Sequence, residues 1–303
     1  MLDPVLVAGA TGQQGGATAR ALLAREVPVR ALVRDPGGEK ARAIAALGAD
    51  LVTGDLRDRA SLEKAVDGVR AVFSVQMAEV VDGAFDFDGE LRQAENLIAA
   101  ARAAGVPQFV HTSVSGSDRL ASAPGYDTGR WAPMEPYYAA KNGIEVRVRE
   151  AGFASWTLLR PAFFMENFLL SAAYLMPRGV AGGIATVLRP DTWLSLVAVR
   201  DIGTAAAAAV TEPERFHEVE LELASDYLPM TAIAETLGRA LGVPLTAPDM
   251  TEQAAVEAGM PPYAALPMEL MNVAGQPARP EFARALGIPL TSFERWAREH
   301  MTR

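Results

Sequence analysis

The sequence predicts an α/β chain, a doubly wound parallel sheet followed by a smaller, less regular domain. Three observations lead there. Short apolar runs alternate with helical runs through the first 160 residues. A glycine-rich turn, Gly9, Gly12 and Gly15, joins the first apolar run to the first helix. The alternation then breaks after Pro161. Strands separated by helices require right-handed crossovers, and so they lie parallel.

The elements follow in order. A strand is expected at 4–8 and its helix at 15–24. The next strand is 27–33, and the helix 40–47 stops at Gly48. Strand 50–53 precedes helix 61–66, which ends near Gly68. Strand 71–75 precedes a long helix, 88–104, stopped by Gly105 with Pro107 beyond. Strand 109–112, helix 136–150 and strand 156–160 complete the series. The pattern leaves no antiparallel hairpin in the first 110 residues. Beyond it, 161–198 is rich in aromatics, Met, Gly and Pro without a period. A helix is expected at 201–210, a further sheet strand at 218–223, and helices at 231–241 and 292–301. The domains read as 1–160, a nucleotide-binding domain that later strands also join, and 161–303, mainly a substrate-binding cap over the strand ends.

Composition narrows the function. The chain has 303 residues, 50% apolar and 21% charged, which suits a globular protein and excludes disorder as the main state. No apolar stretch is long enough to span a bilayer, and no secretory signal opens the chain, so the expectation is a cytoplasmic protein without membrane association. The net charge is −9 and neither half is basic, which disfavours direct nucleic-acid binding. There is no cysteine, so disulfides and thiol catalysis are excluded. His111, His217 and His300 have no metal-ligand spacing, and no metal site is expected. Lysine occurs only at Lys40, Lys64 and Lys141, where arginine serves elsewhere.

The turn VLVAGATGQQGG has glycines spaced G-x-x-G-x-x-G between a strand and a helix, the context that a dinucleotide requires. Gly9 permits the tight turn, Gly12 lets backbone N–H groups approach a pyrophosphate, and Gly15 lets the helix pack on the strand. Thr11, Gln13 and Gln14 complete the loop, and the helix N-terminus supplies partial positive charge. At the tip of the second strand, Arg34 and Lys40 suit the 2′-phosphate of NADP(H), while Asp35 keeps NAD(H) possible. After the third strand, Asp55 can accept from the adenine amino group with Leu56 against the ring. The other reading of Asp55 is a cap for the turn or helix.

The segments GATGQQGG, LVRDP, GDLRD, AARAAGVPQFVHTSVSG, LLRPAFFMENFL and VRDIGTAAAAAV, in this order, resemble the NmrA-like family of atypical short-chain dehydrogenase/reductase proteins. The resemblance covers nearly the whole chain. It implies a Rossmann domain, a smaller C-terminal substrate domain and a preference for NADP(H). Activity is left open, because some relatives are reductases of quinones, dyes or phenolic ethers and others are redox sensors.

Tyr137 and Lys141 stand four apart on one helix, so both point to one face. This is the Y-x-x-x-K spacing of dehydrogenases that use tyrosine as an acid, with the ammonium lowering the phenol pKa and reaching the nicotinamide ribose. Tyr138 is the alternative inward residue. Ser113, or Ser115, is placed to hold the substrate oxygen, and His111 reads as a core or rim residue. Beyond the sixth strand, Pro161, Phe163 and Asn167 are expected to meet the nicotinamide or substrate. Phe164, Met165, Phe168, Tyr174, Met176 and Trp193, with Met77, suggest an apolar substrate pocket. Asp201 reads as a helix cap. Two functions fit. One is an NADPH-dependent reductase of a small apolar carbonyl, quinone or conjugated compound. The other is an NADP(H) sensor acting through a regulatory protein partner. A homodimer is compatible with both.

Overall fold

The computed structural model describes residues 3–301; the outermost residues of both expected domains, 1–2 and 302–303, lie outside it. The chain forms two compact units. One comprises Met1–Ser117, Pro136–Arg160 and Ile202–Leu221; the other comprises Asp118–Glu135, Pro161–Asp201 and Glu222–Arg303.

The first unit is built on strands β1 (Val5–Val7), β2 (Val29–Val33), β3 (Asp50–Thr53) and β4 (Ala71–Ser74). A small hairpin of β5 (Glu79–Val81) and β6 (Ala84–Asp86) follows, then β7 (Gln108–Thr112) and β8 (Ser155–Pro161). Helices α1 (Gln13–Leu23), α2 (Glu39–Ala46), α3 (Arg59–Ala65), α4 (Phe87–Ala103) and α5 (Glu135–Glu150) connect them. The main sheet has seven strands in the order β11-β8-β7-β4-β1-β2-β3, where β11 is Val219–Leu223. The pairs β1–β2, β1–β4, β2–β3, β4–β7 and β7–β8 are all parallel. Strands β1, β4, β7 and β8 are buried along their length, as expected where helices cover both faces. On α4 the residues Ala94, Leu97, Ile98 and Ala101 repeat at helical spacing and pack with Leu6, Leu62, Phe109, Ile144 and Leu158. The chain order reverses between β1 and β4, which puts the topological switch point beside the glycine turn.

Predicted boundaries shift by one or two residues at most ends of this unit. The first helix begins at Gln13 rather than 15, because Gly12 is extended and serves as its N-cap. One expectation fails: β5 and β6 form an antiparallel hairpin within the first 110 residues. Its turn is Asp82–Gly83, both at positive φ (52° and 81°). The Asp-Gly pair is the usual signal of such a turn, and the sequence carries it in VVDGAF. The hairpin is a separate two-stranded sheet, so the parallel order is undisturbed. Asp86 ends it and caps α4 by accepting from Gly89 N at 2.7 Å.

The second unit holds α6 (Gly179–Gly182) and a three-stranded sheet, β12-β10-β9, from β9 (Phe163–Phe164), β10 (Trp193–Val197) and β12 (Asp226–Pro229). Helix α7 (Val199–Thr211) and α8 (Pro213–Phe216) lead to β11; α9 (Met230–Leu241), α10 (Glu252–Glu257), α11 (Ala265–Ala274), α12 (Pro280–Ala285) and α13 (Phe293–His300) complete the chain. The aperiodic stretch 161–198 is not loose: Phe168, Leu175, Leu188 and Leu196 are fully buried against Met230, Leu237, Met268 and Phe293. Short turns and strands bury apolar residues without any repeat, which is why no period is visible.

Candidate functional site

The glycine turn leaves β1 and enters α1. Gly9 adopts φ +63°, and a Cβ there would meet Val75 at 2.7 Å. A Cβ on Gly15 would collide with the Gly9 carbonyl, so helix and turn touch backbone to backbone. Gly12 N donates to Gly9 O at 2.8 Å, closing the turn. No side chain caps α1, and its first turn holds no acidic residue. Its leading N–H groups therefore remain to bind an anion. This shape and donor set fit a pyrophosphate. The Gln14 side chain points elsewhere. Its Oε1 accepts from Thr112 Oγ1 at 2.7 Å, fastening the loop to β7. Thr11 is half-buried and Gln13 exposed beside it. Gly15→Ala is expected to lower dinucleotide affinity by more than about tenfold and to destabilise the fold by about 1–3 kcal/mol, measured by nucleotide titration and denaturant melts. Unchanged affinity would remove the loop from the site.

At the adenosine end, Arg34 follows β2 and is exposed, 3.7 Å from Glu79. Lys40 is exposed in the first turn of α2. The Asp35 carboxylate accepts from Gly37 N at 2.9 Å and closes its own turn. Asp55 accepts from Arg57 N at 2.9 Å, and that bond, with the Arg57 guanidinium, holds its carboxyl below the ordinary range despite partial burial. Asp55 thus closes its own turn, while the α3 cap is Asp58, which accepts from Ala60 N. Leu56 is half-buried against the core, and its carbonyl accepts from Asn96. Arg57 and Glu79, which carry no signal in the sequence, pair at 3.0 Å.

Helix α5 carries the tyrosine and the lysine on one face, as their spacing requires. Lys141 Nζ lies 5.6 Å from the Tyr137 ring centroid, over its face. Its hydrogen bonds go elsewhere, to Glu90 Oε1 at 2.5 Å and the Gln76 carbonyl at 3.5 Å. The expected lowered phenol pKa is therefore corrected. Burial pushes the Tyr137 phenol up, and the Glu90 carboxylate adds to the rise. Tyr138 is raised as well, by burial and then by Tyr137. Both rings are half-buried, and Tyr137 packs edge-on to Phe87 at 5.7 Å and to Tyr138 at 5.2 Å. Glu90, only 1% exposed, leaves Oε2 without a hydrogen-bond partner.

One turn further along α5, Glu145 is fully buried. It accepts from Ser117 Oγ at 2.7 Å, from Arg160 Nε and Nη2 at 3.1 and 2.6 Å, and from Arg149 at 3.0 Å. Burial pushes its carboxyl up, but the Arg160 and Ser117 bonds outweigh this and hold it low. Ser113 is buried, its Oγ makes no hydrogen bond, and it adds the last and smallest share to holding the Glu145 carboxyl low. His111 is buried, with Nδ1 3.2 Å from Ser74 Oγ. Burial, then the Lys141 charge, push its pKa down to about 3. An imidazole neutral when folded but protonated when unfolded loses stability as pH falls below its unfolded pKa near 6.5. We expect the His111→Gln variant to show a shallower loss of stability between pH 6.5 and 5, by up to about 1.4 kcal/mol per pH unit, in denaturant titrations. An unchanged slope would mean that His111 is not the titrating group.

In the second unit, Pro161 and Phe163 are buried, and Phe163 packs on Phe168 at 5.9 Å. Phe168, Met165 and Met176 belong to the core of that unit, a correction to their reading as pocket wall: each is at most 1% exposed. Phe164, Asn167 and Tyr174 are half-buried, and Trp193 is exposed against Tyr227 at 5.0 Å. Met77 in the first unit is 79% exposed. Asp201 is no cap either; its carboxylate ties Ser225 Oγ at 2.6 Å to Thr291 N at 2.7 Å. Among the described residues no acidic or histidine cluster could hold a metal, and no helix is long and apolar enough to cross a membrane.

Comparison with known proteins gives a consistent set. The NmrA-like family model matches residues 1–278. An NAD(P)H azoreductase of Xenophilus azovorans is 31% identical over 93% of this chain and 97% of its own. The NADPH-dependent quinone oxidoreductase of Escherichia coli, solved with NADPH, superposes with a TM-score of 0.75 at 26% identity, covering 97% of this chain and 99% of the other. NmrA, a negative transcriptional regulator solved with NADP, shares the fold with a TM-score of 0.77 at 21% identity, over 98% and 95% of the chains.

Proposed function

The chain belongs to the NmrA-like family, and we propose that it is an NADPH-dependent reductase of a small apolar acceptor, a carbonyl, quinone or conjugated dye. The observation that carries this reading is the glycine turn with its uncapped helix, together with a lysine held in place by a buried carboxylate. Relatives that reduce azo compounds and quinones support the same class of acceptor. The cytoplasm is the compartment that the reading implies.

The nucleotide, when bound, supplies the hydride. The residues of this chain bind and orient. The α1 N-terminus and glycine turn receive the pyrophosphate, and Arg34 with Lys40 receives the 2′-phosphate. Asp35, engaged in its own turn, is less available to a ribose diol, which favours NADP(H) over NAD(H). Lys141, fixed by Glu90 and Gln76, presents its ammonium to the nicotinamide ribose. Tyr137 stays a neutral phenol, a weaker acid than an activated tyrosine. A quinone or dye needs no such acid, because the reduced product can take its proton from water.

The test is loss of NADPH absorbance with a panel of quinones, azo dyes and ketones. Tight NADPH binding with no turnover on any acceptor would favour the sensor instead. Tyr137→Phe should stay within about threefold of wild type, far from the 10²–10⁴-fold of a lost general acid. A fall of that size would restore the tyrosine as the proton donor. Arg34→Ala should weaken NADPH binding about tenfold, the lower end of a charge-assisted contact since the side chain is exposed, and leave NADH nearly unchanged. Equal losses for both would show that Arg34 does not read the phosphate.

A further inference from the structure

The ends of β2 and β3 lie side by side, with Val33 paired to Thr53. The loops that leave them carry Arg34 and Arg57. Into this pair of cations reaches one carboxylate from a different element, Glu79 at the start of the hairpin. Its Oε1 is 3.7 Å from Arg34, and its Oε2 is 3.0 Å from Arg57. A carboxylate bridging two guanidiniums by separate oxygens makes the same kind of contact as a phosphate does. We propose that Glu79 is a specificity-determining residue, which competes with the 2′-phosphate of NADP(H) for Arg34 and Arg57 and so tempers the preference for NADP(H) over NAD(H). The proposal rests on the reading that Arg34 faces the 2′-phosphate.

The charge balance supports it. Two guanidiniums here face two carboxylates, Glu79 and Asp55, so the cluster is close to neutral without nucleotide. A 2′-phosphate adds nearly two negative charges. Asp55 cannot leave easily, because its oxygen also accepts from the Arg57 backbone N–H. Glu79 can. Its side chain is 41% exposed, it sits at the open end of a two-stranded hairpin, and its ion pairs are solvated ones of small net strength. Nucleotide binding therefore exchanges one anion for another at Arg34 and Arg57, and the cost of displacing Glu79 falls on NADP(H) alone. NAD(H) has no phosphate there and leaves Glu79 in place. Arg57 becomes a further cation of the phosphate site, beside Arg34 and Lys40.

The experiment is titration of NADPH and of NADH, by nicotinamide fluorescence, into wild type, Glu79→Gln, Arg34→Ala and Arg57→Ala. With Glu79→Gln, NADPH should bind about two- to fivefold tighter, the range of one exposed ion pair, and NADH should be unchanged. Arg57→Ala should weaken NADPH selectively. No change in Glu79→Gln, or an equal change for both nucleotides, overturns the competition while leaving the 2′-phosphate reading of Arg34 intact. If Arg34→Ala leaves the NADPH to NADH ratio untouched, that underlying reading fails and the competition falls with it. The NADH titration also reports that each variant is folded.

Discussion

Lys141→Ala should cost more turnover than any other single change to the nucleotide site, lowering kcat/KM by about 10²-fold and weakening NADPH binding about tenfold or more, the size of a lost charge-assisted hydrogen bond. The structure adds a second consequence. Lys141 is the cation that neutralises Glu90, at 2.5 Å, and Glu90 is 1% exposed with one oxygen already unpartnered. Removing the lysine strands a buried carboxylate, at about 3–5 kcal/mol in stability. The two effects can be separated. In the double variant Glu90→Gln with Lys141→Met, no charge is left buried, so most stability should return while NADPH binding and turnover stay low. Denaturant melts and nucleotide titrations on the three proteins decide it. If the double variant recovers NADPH binding as well, Lys141 acts only by neutralising Glu90, and its contact with the nucleotide is wrong.

The second large effect is expected at Glu145, in a buried ionic network. Glu145→Ala removes the acceptor shared by Ser117, Arg149 and Arg160. Arg160 is 5% exposed and would still pair with Glu220, at 2.9 Å. We expect a loss of about 3 kcal/mol, the lower end of the cost of breaking a buried pair, because that second carboxylate remains. The pH dependence has a definite sign. Glu145 is held below its ordinary pKa when folded, so its contribution is present above the unfolded value and disappears as pH falls through the folded one. The acid limb of the stability curve should therefore flatten in Glu145→Ala relative to wild type. A variant as stable as wild type, with an unchanged acid limb, would show that the network is dispensable.

What depends on neighbours along the chain could be read without a structure. The alternation of apolar and helical runs required parallel strands, and the glycine spacing placed a sharp turn before α1. The four-residue step from Tyr137 to Lys141 put both on one helix face, because a helix repeats every 3.6 residues. The Asp82–Gly83 turn was equally legible, though the alternation hid it. Which partners those side chains meet is a matter of folding in three dimensions. Lys141 finds Glu90 at a separation of 51 residues, on another helix, so the ammonium does not serve the phenol as its spacing suggested. Phe168 and Met165 look like pocket wall in the segment after β8, yet they are core, because α9 and α13 bring Leu237 and Phe293 against them. Arg57 comes from the loop after β3 and Glu79 from the first residue of β5. Burial and ionic pairing depend on distances across the fold, which no local pattern encodes, and these quantities set the charge state of the site.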